Sequence, residues 1–486
     1  MTRVEASRCL GAALTLLLSA CSLAPPLKTP HIPAADAYKE LGPWTQAQPA
    51  DRLPRDSWWT LYHNSELDGL EKRLVDGSPT LAAALANYAQ ARAVSDQARA
   101  GLFPTLGINA GVEHARESTN APLITRSTPR YFDDNTLSGT VSYELDLWGQ
   151  IRNEVAEGEA NAAASAADLE NARLSLIAQL VDDYIQLRAL DRDSDILDQT
   201  VQAYSRALRL TELRHNAGIA PGLDVSQAQN QLAAARSQVA QTLAQRALME
   251  HAIAALLGVS ASTFAVKPQI VDIALPQIPS GVPATLLQRR PDIAAAQRRM
   301  IAANANIGVA RAAYFPTLTL GAQGGYQSTA FSSWLTAPSS FWAIGPNAVL
   351  SVFDGGLRRA EVAQARAQFD ASAANYRSTV VSAFQQVEDD LATLNHDHDA
   401  ALQERAAVDA AQRTVGFAMI LYKQGATDYL TVVTAQTALL QNQLQALDLD
   451  TQQLRASVDL IRALGGGWED SKAGQNGAPM ESERGG

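Results

Sequence analysis

Clustered histidines and carboxylates are the side chains of this sequence that could bind a metal or transfer protons. Residues 396–399 are His-Asp-His-Asp, and runs of acids occur at 388–390 and 182–183. On a helix, residues i and i+2 point about 200° apart, and adjacent acids cannot converge on one substrate atom. A solvated helix face is therefore the better interpretation of the histidine run. The sequence contains no visible catalytic set, so we predict no enzyme activity, no metal site and no cofactor.

Cys21 carries a different chemistry, because its thiol can be acylated. Two arginines precede an apolar run over 10–20, which has the pattern of a signal peptide and is too short to span a bilayer as a helix. The run ends in Leu-Ser-Ala-Cys21, which resembles the lipobox of bacterial lipoproteins. The resemblance implies cleavage after residue 20 and lipidation of Cys21, and Ser22 then favours the outer membrane. An ordinary signal peptide with an accidental cysteine is the alternative.

Composition narrows the class of protein. The 486 residues carry a net charge of −11, which argues against a nucleic-acid partner. Cys9 and Cys21 are the only cysteines, so the body of the chain has no disulfide framework and no cysteine-based metal site. No stretch after the signal peptide offers eighteen consecutive apolar residues. If the mature chain crosses a membrane, it must therefore use β-strands closed into a barrel.

A two-fold internal repeat organises the chain. Three motifs recur at a constant offset of 207 residues: Glu154-Val155-Ala156 with Glu361-Val362-Ala363, Gly218 with Gly425, and Leu257-Gly258 with Leu464-Gly465. We infer two copies of one unit of roughly 200 residues. The predicted organisation is a signal peptide (1–20), a lipidated proline-rich tether (21–62), a first repeat (63–258), a linker (259–290), a second repeat (291–465) and a disordered tail (466–486).

Each repeat predicts an alanine-rich helix (about 79–102, and 291–313), then two strands, and then a long helical hairpin. In 136–147, apolar and polar residues alternate, which is the period of a strand with one apolar face. Between residues 380 and 394, apolar positions step by four and three, which is coiled-coil spacing. The predicted strands are 105–116, 136–147, 317–327 and 342–353, and the predicted hairpins are 150–257 and 357–464. Four strands cannot close a barrel alone, because two edges would face lipid unpaired. Two copies would give eight strands and three would give twelve.

Four motifs carry a resemblance to a known family. They are Asp56-Ser57-Trp58-Trp59, Leu286-Leu287-Gln288-Arg289-Arg290-Pro291-Asp292-Ile293, Ala310-Arg311-Ala312-Ala313-Tyr314-Phe315-Pro316 and Phe353-Asp354-Gly355-Gly356. Over about 22–465 the chain resembles the TolC-like outer-membrane efflux proteins, in their lipoprotein branch (OprM-like, NodT-type). The resemblance implies a mainly α fold with a small antiparallel β part. It also implies a homotrimer with a shared twelve-stranded transmembrane β-barrel, four strands per chain, that continues into a periplasmic α-helical barrel of long coiled-coil hairpins.

The family also implies a function, a location and partners. Its members are passive exit ducts, anchored in the outer-membrane lipid, with a long periplasmic extension. A periplasmic adaptor (membrane fusion) protein and an inner-membrane RND-type pump supply energy and substrate choice. We expect a duct for drugs or other small molecules. The alternatives are the outer-membrane duct of a type I protein secretion system and a periplasmic coiled-coil lipoprotein without a channel.

The resemblance places the functional residues at the hairpin tips, where the family narrows its tunnel to a periplasmic gate. Leu430 matches a constricting apolar ring, and Tyr422 and Asp224 match a pair that ties neighbouring coiled coils shut by a hydrogen bond. The alternative is that Tyr422 packs and Asp224 caps a helix N-terminus. The predicted gate residues are Asp428, Tyr429, Leu430, Thr431 and Thr434, the predicted latch is Tyr422 and Asp224, and the predicted tip turns are Gly218 and Gly425.

This chain departs from the family at the gate. Thr431 and Thr434 stand where TolC has gate aspartates, and Thr437 stands where the OprM-like branch has an arginine. We therefore expect a gate closed mainly by the packing of Leu430 and by hydroxyl hydrogen bonds, with Asp428 as the remaining nearby charge. Such a gate should bind multivalent cations weakly. The acid runs could add negative charge to the tunnel wall or to the outer surface.

Overall fold

The computed structural model describes residues 22–30, 32–33, 37–40, 57–118, 130–278 and 289–466. The predicted signal peptide, Cys21 and the predicted tail beyond residue 466 lie outside these residues. The described residues group into two compact units. The sheet unit comprises the described residues of Met1–Pro30, Tyr88–Ser165 and Ala296–Tyr376, and the helical unit those of His31–Asn87, Ala166–Ala295 and Arg377–Gly486.

The predicted strands and hairpins are present with small changes of boundary. In chain order, the elements are α1 (Ser65–Gly77), α2 (Pro79–Ala100), β1 (Thr105–Arg116), β2 (Tyr131–Glu144), α3 (Gln150–Asn216), α4 (Gly222–Leu256), α5 (Pro291–Ala312), β3 (Thr317–Ser328), β4 (Ser340–Val349), α6 (Leu357–Gln424) and α7 (Tyr429–Ala463). Helix α1 was not predicted from the sequence. None of the helices in the described ranges combines the length and the apolarity that a membrane span requires.

The sheet unit is built on one antiparallel sheet with the strand order β1-β2-β3-β4. Its register pairs Leu106 with Val141, Val141 with Ala322, and Ala322 with Ile344. Because side chains alternate in direction along a strand, apolar residues of all four strands share one face. On that face the side chain of Trp342 is 79% exposed. An apolar face this exposed in a single chain needs lipid or another chain against it.

Two strands end earlier than predicted, because an acid that follows each strand begins the next helix. Strand β2 ends three residues before the predicted boundary and β4 four residues before. After β2, Asp146 accepts the backbone N–H of Arg152 at 3.0 Å and the side-chain Nε–H at 2.8 Å. After β4, Asp354 accepts the backbone N–H of Arg358 at 3.4 Å and pairs with that side chain. A carboxylate satisfies the free amides of a helix N-terminus, so the two repeats start their long helices alike.

The helical unit has an apolar core to which α1, α3, α4, α6 and α7 contribute. Its members include Leu67, Leu180, Tyr184, Ile253, Leu391 and Leu460. Of the five coiled-coil positions predicted on α6, four are at most 1% exposed (Val380, Val387, Leu391 and Leu394), and Phe384 is partly buried against the core. The predicted spacing is therefore confirmed for this stretch of α6.

Asp191 lies at the centre of a buried ion network in the same unit. Its carboxylate accepts one N–H from Arg188 and one from Arg246, each at 2.6 Å. The two guanidinium groups also donate to the carbonyl oxygens of Lys267 and Val266, at 2.9 Å and 2.7 Å. The side chains of Arg188 and Asp191 are each 2% exposed. The network thus ties α3 and α4 to the linker after α4, and removing one partner of such a network costs about 3–5 kcal/mol.

Helix α1 buries an acid that has no partner. Glu71 is 0% exposed, and neither of its carboxylate oxygens has a hydrogen-bond partner among the described residues. Burial first, and then the negative charge of Asp68, raise the pKa of Glu71 to about 9. The carboxyl group is therefore neutral at pH 7. The pKa of Glu71 is higher in the folded chain than in the unfolded chain. The contribution of this carboxyl group to the stability of the fold is therefore complete at acidic pH and is lost as the pH rises towards 9.

We predict that Glu71→Gln removes this pH dependence. The free energy of unfolding of the variant should exceed that of the wild type by about 1–3 kcal/mol at pH 8, with little difference at pH 4.5. Thermal melting of the purified protein across this range measures the effect. Asp76→Asn, at an exposed acid near the end of α1, is the control and should leave the slope nearly unchanged. Parallel pH profiles for wild type and Glu71→Gln would contradict the prediction.

Candidate functional site: the tips of the helical hairpins

Both hairpin tips end their first helix in the same way. Gly218 follows α3 with a φ of +72°, and Gly425 follows α6 with a φ of +76°. Positive φ favours glycine, because a Cβ would clash with the backbone. Beyond each glycine, an amide bonds back to the last turn: Ile219 donates to the carbonyl of Arg214 and Ala426 to that of Leu421, at 2.8 Å and 2.9 Å. The glycine turns predicted at the two tips thus have the same backbone conformation and the same backbone hydrogen bond in both repeats.

The two tips are held together by an apolar cluster with one cation on it. Its members from the second tip include Tyr422, Tyr429 and Val432, and those from the first include Ala207 and Ala228. The rings of Tyr422 and Tyr429 lie 5.3 Å apart. Above them, the guanidinium of Arg214 lies 4.8 Å from the Tyr422 ring centre and donates to the carbonyl oxygen of Lys423 at 3.0 Å. This contact joins the last turn of α3 to that of α6.

The predicted latch residues face one another within a single chain. Tyr422 is 2% exposed, and its hydroxyl donates to Oγ1 of Thr211 at 3.4 Å. Asp224 is 8% exposed; burial and then the charge of Asp428 raise its pKa, while Arg214 and the Tyr422 hydroxyl lower it. Of the alternative interpretation, Tyr422 is packed in the apolar cluster as expected, but Pro221 and not Asp224 holds the N-cap position of α4. Asp224 lies in the first turn instead, where a carboxylate complements the helix dipole.

The predicted gate threonines donate their hydroxyl hydrogens within their own chain. Asp428 is the N-cap of α7, and its Oδ1 accepts the amide of Thr431 at 3.1 Å and the hydroxyl at 2.7 Å. The hydroxyl of Thr434 donates to the carbonyl of Leu430 at 2.9 Å. The bonds from Thr431 lower the pKa of Asp428. Leu430 itself is 53% exposed, so its side chain is free to meet another surface.

Two residues of this cluster, Arg214 and Thr211, were not predicted from the sequence. Arg214 lies in the last turn of α3, where a cation is favoured by the helix dipole, and that position is the available signal. Thr211 gives no such signal, because its partner Tyr422 is 211 residues away in the chain. Tertiary packing alone brings the two side chains together.

His396 and His398 are exposed on α6, and the two acids at 182 and 183 bond to neighbouring side chains. Asp182 pairs with Arg455 of α7 at 2.6 Å, and Asp183 accepts from Gln179 at 2.8 Å. Within the described ranges, no group of three or more His, Cys, Asp or Glu side chains could hold a metal ion. Glu388 accepts the backbone N–H groups of Lys39 and Glu40, both at 2.9 Å.

Comparisons with known proteins identify the family. The model of the outer membrane efflux protein family matches residues 71–259 and 282–466. Outer membrane protein OprJ of Pseudomonas aeruginosa is 31% identical over 470 residues, which cover 95% of this chain and 96% of OprJ. Pyoverdine export outer membrane protein OpmQ of Pseudomonas putida is 33% identical over 463 residues, which cover 94% and 96%.

Solved structures of outer-membrane channels have the same fold as this chain. The outer-membrane channel OprN matches with a TM-score of 0.86 at 29% identity, over 93% of this chain and 100% of that chain. The outer membrane channel CmeC of Campylobacter jejuni matches in fold with a TM-score of 0.88 at 23% identity, over 94% and 97%. The chain belongs to the outer membrane efflux protein family. It is an efflux channel of the outer membrane with a TolC-like fold, as the sequence motifs indicated.

The cap of α7 can be tested directly. Replacing Asp428 with Ala removes both bonds to Thr431, so the first turn of α7 should open more often. We predict that amide hydrogen exchange over 429–432 becomes about fivefold faster or more. Asp448→Ala is the matched control, because that exposed acid of α7 bonds to Gln452 within the helix. Unchanged exchange in Asp428→Ala would show that the cap contributes nothing to the tip.

Proposed function

We propose that this chain is a passive exit duct for drugs or other small molecules, which works with a periplasmic adaptor protein and an RND-type inner-membrane pump. The observation that carries the proposal is the family match over both repeats, including the two tips. Relatives that match nearly end to end are named for the export of small molecules. Examples are a toluene efflux pump outer membrane protein, TtgC, and the pyoverdine export protein OpmQ, both of Pseudomonas putida. On this proposal the chain has no enzymatic activity of its own.

The proposed assembly is a homotrimer. In the sheet, β1 pairs with β2 and β4 pairs with β3, so β1 and β4 are the two edges. Unpaired strand edges are costly in lipid. Pairing β1 of one copy with β4 of the next satisfies the edges, and the shared apolar face then meets the outer-membrane lipid. Acylation of Cys21 adds the lipid anchor.

The proposed gate lies at the tips. Leu430 is half exposed and follows the N-cap residue Asp428 in the first turn of α7, so three copies of it can meet at the trimer axis and close the pore by packing. Asp428, Tyr429, Thr431 and Thr434 support Leu430 from its own helix. Tyr422 and Asp224 act as the latch by holding the tips of one chain together, with Arg214 as a further contact.

Accumulation measurements test the function. Cells that lack this protein should accumulate more dye and more antibiotic than wild-type cells, and the wild-type gene should restore the difference. Their secreted proteome should stay unchanged. Normal accumulation together with a missing secreted protein would favour the alternative, the outer-membrane duct of a type I secretion system.

The gate has its own test. Leu430→Ala should raise the single-channel conductance of the purified protein in planar bilayers, because a smaller side chain leaves the pore open. Leu402→Ala is the matched control, since Leu402 of α6 is 49% exposed and lies away from the tip in sequence. Equal conductance of Leu430→Ala and the wild type would remove Leu430 from the gate.

A further inference from the structure

The two outer strands of the sheet, β1 and β4, expose apolar side chains at their free edges. On β1, Leu106 and Ile108 are 79% and 87% exposed, and just beyond β4 the side chain of Val352 is 91% exposed. The proposed homotrimer pairs these edges between copies, but it leaves open which residue of β4 stands opposite which residue of β1. Because the chain is a two-fold repeat, the contact between its two repeats is a template for the contact between copies.

The strands of the two repeats correspond residue by residue. Thr105 pairs with Ser142 in the first repeat, and Thr317 pairs with Val349 in the second. In each repeat, Oγ1 of the threonine also donates to the carbonyl oxygen of that partner, at 3.3 Å and 3.4 Å. Residue 317 follows 105 by 212 residues, and residue 349 follows 142 by 207. Strand β3 therefore corresponds to β1 with a shift of 212 residues, and β4 to β2 with a shift of 207.

The two repeats pair with each other along β2 and β3. In this ladder Ser142 stands opposite Gly321. Past the end of β2, the amide of Leu145 donates to the carbonyl oxygen of Leu318 at 2.8 Å, so the same register continues. Hydrogen-bonded and non-hydrogen-bonded pairs alternate along an antiparallel ladder, and Leu145 with Leu318 is a pair of the first kind. Ser142 with Gly321 is therefore a pair of the second kind, in which the two Cα atoms come closest.

The two shifts transfer this contact to the edges that face another copy. Ser142 corresponds to Val349 of β4, and Gly321 corresponds to Asn109 of β1. We propose that β4 of one copy pairs with β1 of the next in the register that pairs β2 with β3 within each chain. Val349 then stands opposite Asn109 of the next copy. This inference rests on the proposed homotrimer.

The apolar face of the sheet is continuous across the contact in this register. Leu350 stands opposite Ile108 of the next copy, and Ala348 stands opposite Ala110. A slip by one residue would bring the apolar side chains of one strand to the opposite face of the other. A slip by two residues keeps the faces, and the correspondence between the repeats is the observation against it. That slip is therefore the alternative that an experiment must separate.

An aromatic contact between the repeats has no counterpart between copies. Nε1 of Trp148 donates to the carbonyl oxygen of Pro316 at 2.8 Å, and the Trp148 ring lies 4.7 Å from that of Phe315. With the same shifts, Trp148 corresponds to Gly355, which has no side chain. Phe315 corresponds to Phe103, whose side chain is 68% exposed. The strand ladder therefore carries more of the contact between copies than of the contact between repeats.

Pro346 shows which side of β4 faces outward. It pairs with Leu320, which is two residues from Leu318 and thus directs its backbone groups towards β2. The nitrogen of Pro346 therefore points away from β3, as expected for a proline in an edge strand. In the proposed register it meets Val112 of the next copy and donates nothing to it. The ladder between copies is therefore complete only after Pro346, towards Val352.

Disulfide cross-linking tests the register. Val349→Cys with Asn109→Cys places two thiols in a pair whose Cα atoms are about 4.5 Å apart, within the range of a disulfide. Mild oxidation of the purified protein should link each copy to the next and give a covalent trimer on non-reducing gels. We expect at least about fivefold more covalent trimer than from Asn109→Cys with Asn347→Cys or with Ser351→Cys, which report the two slips by two residues.

The corresponding pair inside the chain is the matched control. Ser142→Cys with Gly321→Cys should form its disulfide within one copy, so its thiols should disappear without any covalent trimer. Val349→Cys alone measures the background. Preferred or equal cross-linking through Asn347 or Ser351 would overturn the register, and so would a trimer that cross-links through none of the three pairs while the control disulfide forms. A wild-type protein that is monomeric in native mass spectrometry would instead overturn the homotrimer itself.

Discussion

The helical unit depends on the buried ion pairs that the carboxylate of Asp191 makes with Arg188 and Arg246. This carboxylate lies between two arginines of different helices, and those arginines also bind backbone carbonyls of the linker between the repeats. A charge this deeply buried is tolerated only when all its neighbours are in place. The network therefore ties the linker between the repeats to the first hairpin.

Carboxylates also hold the backbone at several other points where the described chain leaves regular structure. Asp146 and Asp354 accept amides where each strand passes into a long helix, and Asp428 accepts the amide of Thr431 at the second tip. Glu388 accepts two amides of the N-terminal segment. In each case a carboxylate satisfies donors that no helix or strand can use. The acids of this chain thus serve its fold at the points where the chain changes direction.

Much of the fold and part of the site follow from the sequence. Local sequence determines the strand faces, the coiled-coil spacing of α6 and the two tip glycines. Each depends on the period, the composition or the backbone φ of residues that lie close together in the chain. Strand ends were less well predicted, because the alternation of 136–147 continues through Asp146 although that carboxylate already belongs to the next helix. The gate residues were inferred from the resemblance to the family. That resemblance does not indicate the bonds that Thr431 and Thr434 make within their own chain.

The sequence by itself therefore determined the elements, their amphipathic faces and the repeat that relates the two hairpins. Only the tertiary structure decided which polar groups meet. Arg246 and Asp191 are 55 residues apart, Thr211 and Tyr422 are 211 apart, and Lys39 and Glu388 are 349 apart. Local periodicity carries no information over such separations. The burial of Glu71 and the binding of Lys39 and Glu40 by Glu388 are set by packing between distant parts of the chain, which a single sequence does not encode in any local pattern.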